Sequence, residues 1–242
     1  LCKGDKPMRV LSIDTATDTA SCAVIEDNKL LGEINFNFGK QHSVILMPMI
    51  HNLLSSLHMD IDSIDGFVSS KGPGSFTGLR IGMSTIKGLS FGAKKPFISL
   101  STLDALAYNL AYSQGLICPI LDALRNNVYT AFYTFEGEEL KRISDYMVIS
   151  IDDLISMVKK EKAVHFIGDG TVKFKEVLKN NIPSSYFAPA HLNLARASAL
   201  GELGLNLLKS GVKEDLNTST PIYLRKSQAE REYDKKMGLG NE

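Results

Sequence analysis

The sequence predicts a duplicated α/β fold of two lobes, each built on a mixed five-stranded sheet. Three observations carry this. Short apolar runs and helical periodicities follow one order twice: three meandering strands, helix, strand, glycine-bearing turn, helix. In both halves an aspartate, Asp14 and then Asp122, closes the first strand, and glycines (Gly72 and Gly74, then Gly168 and Gly170) follow the later strand. With 242 residues, 44% of them hydrophobic, the chain can bury a substantial core and divide it between two lobes.

Taken in order, residues 9–14 read as a short buried strand, 15–18 as a polar turn and 19–25 as a β-rich run. Asp27 and Asn28 turn the chain into a third strand over 29–38. Leu46, Met49, Leu53 and Leu57 recur at helical spacing and predict a helix over 43–57. A strand over 66–70 ends at a glycine-rich junction, from which a helix runs to about residue 92. A strand over 96–100 and a helix over 102–112, capped by Ser101 or Thr102, complete the first half. The order restarts with an apolar strand over 116–121, a second over 127–135 and a third that reaches residue 149. A helix over 151–160, a strand over 163–167, the turn Gly168-Asp169-Gly170, another helix, a strand-like piece and a last helix over 194–208 follow. Such an order also arises by chance in unrelated α/β chains; duplication is the sharper interpretation, and it predicts lobes facing each other in the actin-like (ribonuclease H-like) manner. The expected division is a first lobe over 8–113, a second over 114–225 with a helix over 192–210 packing back on the first, and a tail over 226–242. Residues 1–7 precede Met8 and are read as an extension outside the fold.

Composition narrows the function classes. Lysine plus arginine equals aspartate plus glutamate at 27 each, so no global basic field holds a nucleic acid. No apolar run approaches the roughly 20 residues that span a bilayer, and the first residues lack the basic-then-apolar order of a secretory signal, which predicts a cytoplasmic protein. Cys2, Cys22 and Cys118 are scattered without CxxC spacing, which fits a reducing compartment and neither a disulfide framework nor a zinc site. His42, His51, His58, His165 and His191 never form HxxxH, so no metal is expected. There is no GxSxG elbow, and no catalytic residue is assigned.

Asp14 and Asp122, each at the end of a first strand, either face an interlobe cleft and position a metal-bound nucleotide or simply initiate turns. Gly72-Pro73-Gly74-Ser75-Phe76-Thr77-Gly78-Leu79-Arg80 joins a strand to a helix through two glycines, a φ-locking proline and Ser75 as N-cap. Its amides, with Asp14, Thr15, Gly72, Gly74, Ser75 and Asp122, are the candidate nucleotide or anion set. The string is neither a Walker A loop, since Leu79 follows Gly78, nor GxGxxG, since Gly78 falls one place late. The helix after it holds Gly78, Gly82, Gly88 and Gly92, each costing up to about 1 kcal/mol against alanine. Close approach of a partner helix offsets that, and so does close packing on the lobe's own sheet. Met47 and Met49 join Leu, Ile and Val on more than one side of the 43–57 helix, adaptable apolar surface that suits either a protein partner or the core. The candidate partner interface is Leu46, Met49, Ile50, Leu53, Phe76, Gly78, Leu79, Gly82, Met83 and Ile86. Tyr223-Leu224-Arg225-Lys226 begins a mixed-charge tail that reads as a solvated end or as a contact strand with a basic arm.

Several pieces coincide with one family: Ile13-Asp14-Thr15, Gln41-His42-Ser43 with Leu46-Met47-Pro48, the 72–82 string, Asp122-Ala123-Leu124-Arg125 with Val128-Tyr129, and Pro221-Ile222-Tyr223-Leu224-Arg225. Together, over residues 8–225, they resemble the TsaB family. Departures are Leu124 where the family pattern has arginine and Val44 where glutamate follows His-Ser. The resemblance implies a duplicated actin-like fold and a place in the machinery that installs threonylcarbamoyl on the tRNA adenosine next to the anticodon. It implies partners as well: the catalytic paralogue TsaD, the ATPase TsaE and an upstream enzyme making threonylcarbamoyl-AMP. Catalytic relatives hold a metal with HxxxH after the junction and the next strand; here that stretch is Ser101-Thr102-Leu103-Asp104-Ala105-Leu106, and Thr102 and Leu106 are not imidazoles. The expected function is therefore an accessory subunit that binds and supports TsaD. It needs no cofactor, forms a homodimer when alone, and meets tRNA only through the complex. An actin-like-fold ATPase or kinase acting on its own is the alternative.

Overall fold

The structure, a computed structural model, describes residues 6–39, 41–226, 230, 233, 236 and 237. Most of the 226–242 tail and residues 1–5 of the 1–7 extension lie outside the described residues.

The first lobe is one five-stranded sheet of β1 (Arg9–Asp14), β2 (Ala20–Glu26), β3 (Lys29–Phe36), β4 (Gly66–Ser70) and β5 (Phe97–Leu100), in the order β3-β2-β1-β4-β5. β1, β2 and β3 form an antiparallel meander, while β4 and β5 run parallel to β1. Alternate side chains serve two helical layers, as the pleat requires. Leu11, Ile13, Cys22, Val24 and Phe67 face α1 (His42–Ser56) and α2 (Phe76–Ala93), which add Leu46, Met49, Ile50, Leu53 and Ile86. Val10, Ile25 and Val68 face the other way, onto Leu200, Leu205 and Leu208 of the last helix, α6 (Ala197–Lys209).

Polar contacts fix where α6 lands. Ser12 Oγ donates to the Ala197 carbonyl at 2.6 Å, and the Ala197 amide donates to Ser21 Oγ at 2.7 Å. Glu33, almost buried, accepts from the Arg196 guanidinium and from the Ser198 amide at 3.0 Å. Burial works to raise the Glu33 carboxyl, but the Arg196 and Ser198 bonds outweigh it and hold the group below the usual range.

The second lobe departs from five strands. Its strands are β6 (Leu116–Asp122), β7 (Asn127–Thr130), β8 (Tyr133–Glu136), β9 (Glu139–Arg142), β10 (Met147–Ser150), β11 (Val164–Ile167) and β12 (Ser185–Phe187). They make a seven-stranded sheet in the order β10-β7-β6-β11-β12, with β8 pairing β6 and β9. The second and third strands of the meander each break in two because they bend around one point. There the Phe132 amide donates to Ser144 Oγ at 2.8 Å and the Ile143 amide to the Phe132 carbonyl at 2.8 Å. Helices α4 (Ile151–Val158) and α5 (Gly170–Asn181) cover Cys118, Ile120, Val128 and Phe166.

Between the lobes, α3 (Thr102–Tyr108) is shorter than its periodicity predicts, since turns end it and Tyr112 takes φ 65°. Its Asp104 carboxylate accepts from Tyr133 at 2.7 Å and from Tyr146 at 2.9 Å, which ties α3 to the second lobe. Burial pushes the Asp104 carboxyl up, and the two tyrosine hydroxyls hold it back.

Candidate functional site

The 72–80 junction closes down on the first turn of its own lobe. Gly72 holds φ 92°, a conformation that favours glycine, and enters a cis bond to Pro73. The Ser75 amide donates to the Ala16 carbonyl at 2.6 Å, and Ser75 Oγ caps α2 by accepting from the Gly78 amide at 3.3 Å. A Cβ on Gly74 would stand 2.2 Å from the Ala16 carbonyl oxygen. On Gly78 it would stand 2.1 Å from the Thr15 oxygen, and on Gly82 2.3 Å from Thr15 Oγ1. Thr15 Oγ1 donates to the Gly78 carbonyl at 2.8 Å, completing the seam. The helix-interior glycines at 78 and 82 thus let α2 meet the lobe's own 14–17 turn, not an external helix.

That seam decides the fate of the anion set. Asp14 and Thr15 are fully buried and do not reach the cleft. The Asp14 carboxylate accepts from the Ala16 amide at 2.8 Å and from Thr102 Oγ1 at 3.2 Å. Burial pushes its pKa up to about 6, with the bonds from Ala16, Thr102 and Ser70 opposing. Gly72 accepts through its carbonyl from the Thr102 amide and Ser101 Oγ, and is likewise buried. Of the six residues, only Gly74, Ser75 and Asp122 line the interlobe cleft. Asp14 and Thr15 reach a ligand there only if the seam opens. Among the described residues no group of three or more His, Cys, Asp or Glu side chains is placed to hold a metal.

The cleft itself has a volume of about 560 Å³. From the second lobe it is lined by Asp122, Tyr129 and Asp169, and from the chain's end by residues 222–226. Asp122 pairs with Lys173 at 3.2 Å, accepts from the Leu124 amide at 2.9 Å, and donates its own amide to Asp169 at 2.9 Å. Burial, with Asp122 and Asp18 adding repulsion, pushes the Asp169 pKa up to about 6. Arg225 donates to the Ala123 carbonyl, so the segment after α6 crosses from the first lobe to the second. Asp169 and Asp18 were not in the predicted set. The duplication held a signal for Asp169, because it opens the helix after β11 as Ser75 opens the helix after β4.

The predicted interface needs a correction. Leu46, Met49, Ile50, Leu53, Leu79, Met83 and Ile86 are buried inside the first lobe, and Gly78 and Gly82 are buried against Thr15. The periodicity that picked them out belongs to the core face, and only Phe76 is partly exposed. The outer faces carry other residues: Val44 (66% exposed) and Met47 (48%) on α1, and Phe91 (76%) on α2. Gly88 and Gly92 are exposed, with nothing within 4 Å of an added Cβ.

Comparison with known proteins places this architecture. The TsaD family model, described as tRNA N6-adenosine threonylcarbamoyltransferase, matches residues 36–233. The "tRNA threonylcarbamoyladenosine biosynthesis protein TsaB" of Bacillus subtilis is 32% identical over 228 residues, 93% of this chain and 98% of that protein. The chain belongs to the TsaB branch of the TsaD family. A tRNA N6-adenosine threonylcarbamoyltransferase of Kosmotoga olearia is also 32% identical, but over 56% of this chain and 46% of that one. The solved structure titled "YeaZ from Pseudomonas aeruginosa" superposes with a TM-score of 0.75 at 22% identity, covering 90% of this chain and all of that one. That likeness is one of fold, a mixed α/β actin-like architecture. In this TsaB chain the stretch compared above with a metal-binding helix does other work: Ser101 caps α3, Thr102 holds Asp14, and Asp104 joins the lobes. No helix among the described residues is long and apolar enough to cross a membrane.

Proposed function

We propose that this chain serves tRNA threonylcarbamoyladenosine biosynthesis as a non-catalytic subunit, binding a catalytic TsaD-family transferase through the outer faces of α1 and α2. One observation carries the proposal. Val44, Met47 and Phe91 expose large apolar side chains on the outer faces of two neighbouring helices of the first lobe, and Gly88 and Gly92 leave the α2 backbone open beside Phe91. Exposed apolar side chains next to bare backbone suit a helix from another protein, because backbones then approach closely. The same face pairs two copies of the chain when no partner is present. A TsaE-type ATPase joins the assembly, tRNA meets it through the catalytic partner, and the compartment is the cytoplasm. A nucleotide-driven activity of the isolated chain is disfavoured by the sealed Asp14 and Thr15.

The decisive experiment measures tRNA threonylcarbamoylation from purified components with and without this chain, alongside titration calorimetry against the transferase. Val44→Asp combined with Phe91→Asp is expected to abolish both binding and stimulation while leaving the thermal midpoint near wild type. Undiminished binding by that variant would overturn the proposed face. Turnover of Mg-ATP by the isolated chain would overturn the non-catalytic role.

A further inference from the structure

Arg80 lies on the exposed stripe of α2 formed by Arg80, Ser84, Gly88 and Phe91, and its guanidinium is held in an unusual way. The guanidinium carbon sits 3.9 Å from the Phe76 ring centroid and 5.8 Å from that of Tyr223. Its Nε donates to the Tyr223 hydroxyl at 3.0 Å, and the two rings stand 4.8 Å apart at 36°. Tyr223 is anchored in turn, because the neighbouring Ile222 amide donates to the Lys71 carbonyl at 2.7 Å and Arg225 is bonded to Ala123. One face and one edge of the guanidinium are therefore fixed by the protein. The remaining edge, with both Nη groups, has no carboxylate within ion-pair distance among the described residues.

An arginine whose plane is set in advance loses little freedom when it forms two parallel hydrogen bonds, which is the geometry that recognises a carboxylate. We propose that Arg80 is the polar anchor of the partner face: it takes an Asp or Glu carboxylate of the protein that docks along α1 and α2, and so fixes that partner's register on the apolar stripe. The assignment rests on the partner face proposed above. A protein carboxylate fits better than an RNA phosphate for two reasons. The cleft beside the Phe76 and Tyr223 rings is lined by three carboxylates, Asp18, Asp122 and Asp169, against two cations, Arg225 and Lys226, and Arg225 is already bonded to the Ala123 carbonyl, which disfavours a polyanion. Arg80 also shares its stripe with exposed Phe91, giving one charged end and one apolar end, as a docked helix would need.

Calorimetric titration of the full chain with the TsaD-family transferase tests this, using wild type, Arg80→Ala, Arg80→Lys and the Val44→Asp, Phe91→Asp control. Arg80→Ala is expected to weaken binding about ten- to a hundredfold, the worth of paired charge-assisted hydrogen bonds. Arg80→Lys is expected to recover only a small part of that, because an ammonium provides neither the fork nor the stack. Full affinity in Arg80→Ala together with lost binding in the apolar control would overturn the anchor and leave the face standing. Full affinity in both would overturn the face itself. Full rescue by lysine would overturn the paired geometry. A tRNA gel shift by the isolated chain that disappears in Arg80→Ala, with transferase affinity unchanged, would overturn the protein-carboxylate assignment.

Discussion

At the scale of single residues, Asp14 shows how far a motif position and its role can diverge. Its place at the end of the first strand was legible, since an apolar run stops there and a polar turn begins. Its inaccessibility was not, because its side chain is held by Thr102, remote in sequence, and no local pattern reports it. The consequence is a pH dependence. Asp14 and Asp169 both have folded-state pKa values raised to about 6, above the unfolded value. The folded chain therefore holds more protons than the unfolded chain between about pH 4 and pH 6. The stability these groups contribute is complete below about pH 4 and is lost as the pH rises through about 6. Asp14→Asn keeps an oxygen for the Ala16 amide and removes the buried charge. Urea denaturation is expected to show the variant more stable than wild type at pH 8, on the order of 2 kcal/mol, and no more stable at pH 4. A difference that does not change with pH would show that the Asp14 charge carries no burial cost.

At the scale of an element, α2 separates what spacing can say from what it cannot. Four glycines at helical spacing announced close approach, which Gly78 and Gly82 make against Thr15 and Gly88 and Gly92 do not, and the spacing gives no direction. The apolar residues do: Leu79, Met83 and Ile86 share the inner face with Gly78 and Gly82, while Gly88 falls on the stripe with Arg80, Ser84 and Phe91. Substitution reads the two pairs apart. Gly78→Ala forces its methyl against the Thr15 backbone oxygen and is expected to lose about 3 kcal/mol or more. Gly88→Ala meets nothing and is expected to gain up to about 1 kcal/mol from helix propensity. Thermal melts compare them directly, and equal midpoints would contradict the seam between α2 and the 14–17 turn. Gly88→Leu extends the comparison to function: it is expected to fold normally and to weaken transferase binding in calorimetry.

At the scale of the whole molecule, the repeated order of elements made the two lobes legible because each half carries its own strand and helix periodicities. The split strands of the second lobe were not legible, since the bend at Phe132 depends on Ser144, across the meander. Nor does sequence order disclose dependence between lobes. One face of the first sheet is covered by α6, which the chain reaches only after building the entire second lobe. A fragment ending at residue 113 would expose Val10, Ile25, Val68 and Ile98 and is expected to be insoluble or to bind a hydrophobic dye, and the full chain is expected to do neither. A soluble, cooperatively melting fragment would contradict the need for α6.

The position of α6 also has a meaning in time. On a ribosome adding roughly 5–20 residues per second, the first lobe waits on the order of 10 s, half-covered, for the helix that finishes it. The second lobe, whose strands and covering helices are contiguous, closes while the first is still open. Synthesis therefore completes the later lobe first, and the apolar sheet face held open meanwhile is the stretch of this chain most in need of a chaperone.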